Sequence, residues 1–369
     1  MPVLSPRRFH DIVSGRDRTI VGSCWRLLFA TLQPIYRWII TRRNREFDAG
    51  RREVSSVPAI VVSVGNLTVG GTGKTPLVRW LCEFYRRRGH DVAIVSRGYG
   101  AKPGQLNDEA RELAIYLPDV PHEQARQRID AARRVLETFE AARQGPSDLA
   151  PVIILDDALQ HRQMGRSLDI VMLDATCPFG YERLLPAGLL REPLESLKRA
   201  QIIALSRATS IDAAERLKIK QRALSYNPKA TWVELSHEPR TLIDCDRNEE
   251  PLGDLSGKRI FAFCGIGNPA AFRKTLESLG PALTGFEVFP DHAEYDQLLL
   301  AQLERSIQAQ SQAPELVLCT LKDLVKIPQR SLANIPLRAL SIDLVFSDGQ
   351  ASMEHQLASA EPLSTTPAS

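Results

Sequence analysis

Residues 65–76 read Gly65-Asn66-Leu67-Thr68-Val69-Gly70-Gly71-Thr72-Gly73-Lys74-Thr75-Pro76 and directly follow an apolar run at 60–64. A buried strand running into a glycine-rich loop that ends in Lys-Thr is built to hold a phosphate chain. The loop's N–H groups and the N-terminus of the next helix supply the positive potential. In such loops the lysine, here Lys74, reaches the β/γ-phosphates, and the hydroxyl, here Thr75, binds Mg²⁺. The strict spacing G-x-x-x-x-G-K-[ST] requires glycine at 68, where this chain has Thr68. The remaining run is a variant of the form x-G-G-x-G-K-T. Val69, Gly70, Gly71, Thr72, Gly73, Lys74 and Thr75 are therefore the expected nucleotide-phosphate cradle, against the bland alternative of a glycine turn before a helix.

Working outward, strand-like apolar runs at 59–64, 92–96, 152–155, 170–173, 202–205 and 232–235 alternate with helical patterns at 75–88, 108–116, 122–142 and 211–224. Near-continuous apolar strands separated by helices predict a mostly parallel sheet covered by helices on both faces, with ligands beyond the carboxyl ends of the strands. Residues 238–257 are polar and irregular and read as a connection. A second strand–turn–helix follows at 259–279, with further strands at 316–320 and 340–345. The expected organisation is an N-terminal arm at 1–52, a nucleotide-binding domain at 53–240, a connection at 241–257, a smaller α/β domain at 258–347 and a disordered tail at 348–369.

At 369 residues, with 43% hydrophobic and 25% charged side chains, the chain can bury two proper cores. Its six cysteines are scattered without metal-ligand spacing, which fits a reducing compartment. The net charge of +3 is unevenly spread: residues 1–52 hold eleven arginines against four acids, while the rest of the chain is mildly acidic. Such an arm suggests an anionic partner, either a membrane surface or a nucleic acid. Among the arginines lies an apolar stretch, 19–41, interrupted by Arg26, Pro34 and Arg37. Each mid-membrane arginine would cost roughly 2.5–3.5 kcal/mol, so the stretch reads as an amphipathic helix lying in the headgroup region. Trp25, Phe29, Tyr36 and Trp38 are its expected anchors, and packing of the helix on the body of the protein is the alternative. No cleavable signal peptide is evident.

Candidate chemistry clusters at strand ends. The run 152–157 ends in Asp156-Asp157, where a phosphate-binding loop needs an acid for Mg²⁺. The run 169–174 ends in Asp174 and is a rival that spacing does not exclude. Arg97, in Ser96-Arg97-Gly98-Tyr99-Gly100, follows another strand and suits an anionic substrate. Asp108 opens a helix, where acids are common as caps. His292, beside Asp291, has the same ambiguity.

Taken in order, Asn66 to Pro76, Ser96-Arg97-Gly98-Tyr99, Asp108-Glu109, Asp156-Asp157 with Gln160-His161, and Leu185-Pro186-Ala187-Gly188 with Arg191-Glu192-Pro193 resemble one known family. Gly265-Ile266-Gly267-Asn268-Pro269, Pro290-Asp291-His292 and Thr320 with Lys322-Asp323 continue the series. The family is tetraacyldisaccharide 4′-kinase, the lipid A 4′-kinase of Gram-negative envelope synthesis, and the resemblance covers residues 20–345.

The resemblance implies a two-domain P-loop kinase, peripheral on the cytoplasmic side of the inner membrane. Such a kinase moves the γ-phosphate of ATP to the 4′-hydroxyl of a tetraacylated glucosamine disaccharide 1-phosphate. It implies Asp108 and His292 as a catalytic pair brought together by domain closure, with Lys74 and Arg191 neutralising charge. It also implies Thr75, Asp156, Asp157 and Glu192 at the Mg²⁺ site, His161 lining that site, and Arg97 and Tyr99 on the substrate side. ATP and Mg²⁺ are the implied cofactors, and the expected state is a monomer without a nucleic-acid partner. Two positions depart from the family pattern: Ala158 and Asn107 stand where glycine is common. The competing readings are a membrane-associated NTPase switch and a soluble small-molecule kinase.

Overall fold

The computed structural model describes residues 4–98, 106–142, 149–253, 255–291 and 293–364. Two helices open the chain, α1 (Pro6–Val13), capped by Ser5, and α2 (Ile20–Asp48), capped by Thr19. Pro34 removes one backbone donor from α2 without ending it. The elements β1 (Ile60–Asn66), α3 (Lys74–Arg86), β2 (Val92–Ser96), α4 (Asp108–Tyr116), β3 (His122–Gln124) and α5 (Arg128–Ala142) follow. Next come β4 (Val152–Asp156), β5 (Leu168–Asp174), β6 (Ile202–Ser206), α6 (Ala213–Leu224), β7 (Thr231–Ile243) and β8 (Glu249–Pro251). The remainder is β9 (Arg259–Cys264), α7 (Pro269–Ser278), β10 (Ala282–Val288), α8 (Gln297–Gln308), β11 (Leu316–Thr320), α9 (Leu321–Leu324), β12 (Ser331–Leu332), β13 (Ile335–Asp348) and α10 (Gln350–Ala358).

The chain divides into two compact units: residues 1–97, 123–236 and 346–369 form unit 1, and residues 98–122 and 237–345 form unit 2. In unit 1, β1 pairs in parallel with β4 and with β5, β4 with β2, β5 with β6, and β6 with β7. Strands β1, β2, β4 and β6 are buried at every position, so the sheet is covered on both faces. Val61, Ile153 and Leu155 pack on Ala131, Ala132 and Leu136 of α5, while Ile203 and Leu205 pack on Ile219 and Ala223 of α6. The fold is the expected P-loop NTPase-like, mostly parallel α/β sheet.

In unit 2, β9 pairs in parallel with β10 and β11, and β11 with β13. The two-residue period of β9 sorts its side chains cleanly. Phe261 and Phe263 join Leu300, Leu303 and Ile307 of α8, and Ile260, Ala262 and Cys264 join Phe272 and Leu276 of α7.

Four expectations are corrected. The helix expected at 122–142 starts only at Arg128, because 122–124 is held at the sheet edge, where Ala125 N–H donates to Ser96 O and Gln124 donates to the Ser96 hydroxyl. The connection expected at 241–257 begins inside a strand: β7 runs unbroken through Ile243, whose side chain is buried in a unit 2 core, and β8 pairs back on it. The disordered tail expected from 348 contains α10, whose Met353 and Leu357 are fully buried and whose Leu357 carbonyl accepts from the Tyr85 hydroxyl. The segment 98–122, expected within the nucleotide-binding domain, belongs to unit 2.

The N-terminal arm packs into unit 1. Ile12 and Val13 of α1 and Phe29 of α2 form a buried cluster with Ala187 and Leu189, against which Trp25 and Val69 pack. Of the four expected aromatic anchors, Phe29 is buried and Tyr36 and Trp25 pack on unit 1, so Trp38, 60% exposed, is the one turned to solvent. The outward apolar face is aliphatic instead: Leu27 is 70% exposed, and Leu28, Leu32, Ile35 and Ile39 accompany it.

Candidate active site

In unit 1 the register Val64↔Asp156 sets the end of β4 level with the point where β1 gives way to its loop. Asn66 Nδ2 donates to Thr68 O at 2.7 Å and fixes the entry to that loop. Gly70 (φ 113°) and Gly73 (φ 75°) take conformations that L side chains resist, which turns the chain into the first residue of α3, Lys74. Arg207 reaches the Gly71 carbonyl at 3.1 Å. The Thr72 hydroxyl is buried without a hydrogen-bond partner among the described residues. A buried orphan hydroxyl costs about 1–3 kcal/mol, so it marks a position that a ligand oxygen would satisfy.

Lys74 Nζ is aimed by Asn66 Oδ1 and Asp157 Oδ1, each at 3.4 Å. Arg191 grips the same carboxylate, with Nη1 at 2.9 and 3.1 Å and Nη2 at 3.1 Å, and also donates to Gln160 Oε1 at 3.1 Å. Gln160 in turn donates to Asn66 O, and the buried Arg128 donates to Asp157 O. Asp157 holds φ at 48°, rare for a residue with a side chain, and these contacts fix it there. Burial works against its ionisation, but Lys74 and Arg191 overcome it and hold the carboxyl at about 2. Burial draws Arg128 down to about 10.

The rival Asp174 ends β5, on the other side of β1, so topology alone leaves it open. Its carboxylate is instead taken up by Arg207 and by the Thr176 N–H and hydroxyl. A hydroxyl at 75 and carboxylates at 156 and 157 suit a hard cation that keeps most of its ligands as phosphate oxygens and water. That donor set fits Mg²⁺. Among the described residues no cluster of three or more His, Cys, Asp or Glu side chains forms a protein-only metal cage.

His161, half-buried nearby, is driven to about 4 by burial and by the charges of Arg128, Arg166 and Arg97, so its ring is neutral at pH 7. Arg97 is exposed after the end of β2. Tyr99 and His292 lie outside the described residues.

Glu192 departs from its expected place. It is 0% exposed, with Oε1 on Arg43 Nη2 at 2.8 Å and Oε2 on Arg199 Nη2 at 2.7 Å and Asn44 Nδ2 at 3.2 Å. Both oxygens are consumed by cations and an amide that include two residues of α2, so Glu192 is an ion-pair hub rather than a partner of Asp156 and Asp157. Removing one member of such a buried pair costs about 3–5 kcal/mol.

Unit 2 carries the candidate base. Asn107 caps α4 by accepting from Ala110 N–H at 3.0 Å, which fixes Asp108 in the first turn. Asp108 Oδ2 pairs at 2.9 Å with Nζ of the largely buried Lys326, which also donates to Ala293 O at 3.1 Å. Asp108, Asp291 and Ala293 fall in one unit; His292, the partner expected for Asp108 on domain closure, lies outside the described residues. Lys322 pairs with Asp291 at 2.8 Å. Asp323 is fully buried and accepts from Gly265 N–H, Tyr295 Oη and Thr320 Oγ1. Burial pushes Glu112, near Lys322, Glu109, Asp323 and Asp108, up to about 7. Sequence reasoning missed Lys326 and Arg128, whose partners are remote in the chain. For Lys326 the one available hint was a cation between apolar residues, Leu324-Val325 and Ile327; for Arg128, in a run of charged and amide side chains, there was none.

The family model described as tetraacyldisaccharide-1-P 4′-kinase matches residues 25–361. A tetraacyldisaccharide 4′-kinase of Syntrophus aciditrophicus is 35% identical, covering 95% of this chain and 96% of its own. One of Chlorobaculum parvum is 36% identical, covering 88% and 92%. Among solved structures, LpxK from Aquifex aeolicus in complex with ATP is similar at a TM-score of 0.70 and 28% identity, covering 91% of this chain and 99% of that one.

Proposed function

The chain belongs to the tetraacyldisaccharide-1-P 4′-kinase family, and we propose that unit 1 holds the ATP donor while unit 2 supplies the base for the 4′-hydroxyl of a tetraacylated glucosamine disaccharide 1-phosphate. The observation that carries this reading is Lys74, held at 3.4 Å from both Asn66 and Asp157 at the start of α3, under a loop that contains the orphan Thr72 hydroxyl. Backbone N–H groups of 70–75 and the start of α3 would face the phosphates, with Lys74 and Arg191 spreading positive charge over them.

Mg²⁺ would be held by Thr75, Asp156 and Asp157, and would neutralise charge on the β- and γ-phosphates. Asp108 takes the proton of the sugar hydroxyl as its oxygen bonds to Pγ and the bond from Pγ to the bridging oxygen breaks, releasing ADP. Lys326 positions Asp108, and His292 is the proposed partner that orients it or relays its proton. Neutral His161 lines the metal site, and Arg97 and Tyr99 serve the anionic acceptor.

No described helix is long and apolar enough to cross a membrane. We place the protein on the cytoplasmic face of the inner membrane through the exposed Leu27, Leu32, Ile35 and Trp38, flanked by Arg37, Arg42 and Arg45. Because α2 also fills a unit 1 cluster, the test is substitution of its outer face rather than truncation. Leu27→Ser/Ile35→Ser/Trp38→Ser should weaken pelleting with anionic vesicles by about a hundredfold or more. Unchanged pelleting removes the membrane reading.

The decisive experiment incubates the protein with γ-labelled ATP, Mg²⁺ and the acylated disaccharide 1-phosphate. Label in the lipid fraction is expected. Label released only as inorganic phosphate would overturn the kinase reading in favour of a switch.

A further inference from the structure

Helix α2 turns an apolar face outward, while its inner face reaches two consecutive residues with different duties. Arg191 engages Asp157 and Gln160 beside the phosphate loop; Glu192 engages the helix. We infer that α2 is a positioning element for Arg191. Tyr36, Arg43 and Asn44, with Arg199, hold the 191–192 backbone so that the guanidinium meets Asp157, and transfer therefore depends on the helix even where no bilayer is present. This inference rests on the reading above that Arg191 serves phosphoryl transfer.

The Arg191 peptide is clamped on both sides. Its N–H donates to Leu67 O at 2.6 Å, and its carbonyl accepts from the Tyr36 hydroxyl at 2.9 Å. The next side chain, Glu192, is locked by Arg43, Arg199 and Asn44. A carboxylate so completely buried persists only while its oxygens are paired. Burial opposes its charge, yet Arg199, Ser196 and Arg43 keep its pKa below the usual range. The clamp continues into packing, since Phe29 of α2 shares a cluster with Leu189, and Leu189 O accepts from Val69 N–H in the phosphate loop. A shift of α2 therefore moves the segment that carries Arg191. Misplacement of a catalytic group by about 1 Å costs rate on the order of a hundredfold.

Two rival roles make different forecasts. If α2 only anchors, its inner face is irrelevant to an acceptor dispersed in detergent. If Glu192 is a metal ligand, its loss raises the Mg²⁺ requirement and loss of Arg43 does not. The experiment uses the full chain with γ-labelled ATP and the acceptor glycolipid in nonionic detergent micelles. Arg43→Ala and Glu192→Gln should each lower kcat by about ten- to a hundredfold, and the double variant should be no worse than the poorer single one. KM for ATP and half-saturating Mg²⁺ should stay within about twofold of wild type.

Arg43→Lys should recover part of the loss. Tyr36→Phe, which keeps the ring packing, should lower kcat by about threefold, through one hydrogen bond. Independently of activity, amide exchange at 189–192 should quicken in Arg43→Ala while its thermal melt stays cooperative. Unchanged exchange, kcat values within about twofold of wild type, or a raised Mg²⁺ requirement confined to Glu192→Gln would each overturn the inference. An inactive wild type would instead fell the kinase reading, with the exchange measurement still deciding the clamp.

Discussion

Asp157 in unit 1 and Asp108 in unit 2 are both carboxylates faced by a lysine, and the contrast between them underlies the proposed division of roles. Asp157 is gripped by Lys74 and Arg191, its carbonyl is held by Arg128, and its carboxyl lies at about 2. A group so saturated with positive charge is a poor proton acceptor; it aims the cations around it. Asp108 meets Lys326 and sits on a helix that also carries the acids Glu109 and Glu112. Its surroundings are acidic as well as basic. In the proposed division of labour, Asp157 aims the cations beside the phosphate loop and Asp108 serves as the base.

That contrast can be broken most forcefully at Asp108. Asp108→Asn should cut kcat by about 10²–10⁴ with ATP affinity retained, as measured by label transfer and nucleotide titration. Near-normal turnover would move the base elsewhere. Next, Lys74→Met should lower transfer by about 10²–10³ and weaken ATP binding as well, since it contacts the donor throughout. Lys326→Met is a smaller perturbation: on the proposal that this lysine positions Asp108, kcat should fall by about tenfold with KM for ATP unchanged. A change in ATP binding there would contradict the separation of duties.

The gentlest test is pH dependence. The ionised Asp157 contributes stability that is fully present above its unfolded value near about 4, and is lost only as pH falls toward about 2. It should leave the neutral range flat. Glu112 runs the other way. Its folded value of about 7 exceeds the unfolded value of about 4.3, so the folded state binds more protons between them. Stability on its account is full below about pH 4.3 and is lost as pH rises through about 7. Thermal melts from pH 5 to 8 should show wild type losing stability relative to Glu112→Gln as pH rises. Parallel curves would show that Glu112 is not perturbed.

How much could be read beforehand follows the same division. The loop at 69–75 was legible because backbone turn, helix start, lysine and hydroxyl are contiguous, and each answers to a local constraint. Strands β1, β2, β4, β5, β6, β9 and β11 were legible because burial on both faces demands uninterrupted apolar runs. Strand β10 was not, since Ala282–Val288 contains Thr284 and Gly285 and is only partly buried. Helix α8 carries its signal in Leu300, Leu303 and Ile307, which stand at helical spacing. Helix α10 offers only Met353 and Leu357 and owes its place to packing in unit 1. The residues alone raised Asp108 as a helix-opening acid, and resemblance added its pairing with His292 and the role of Arg191; neither pointed to Lys326 or to the Arg191–Asp157 pair.

The sequence alone determined the parallel α/β architecture, the phosphate cradle and a basic amphipathic start, because period, glycine placement and charge act over a few residues. Only the tertiary structure decided that Asp157 rather than Asp174 meets Lys74, that Glu192 answers to α2, and that Asp108 pairs with Lys326 in unit 2. Those choices are long-range. They depend on which buried charge finds which counter-charge once the strands have set the register, and no local pattern encodes that.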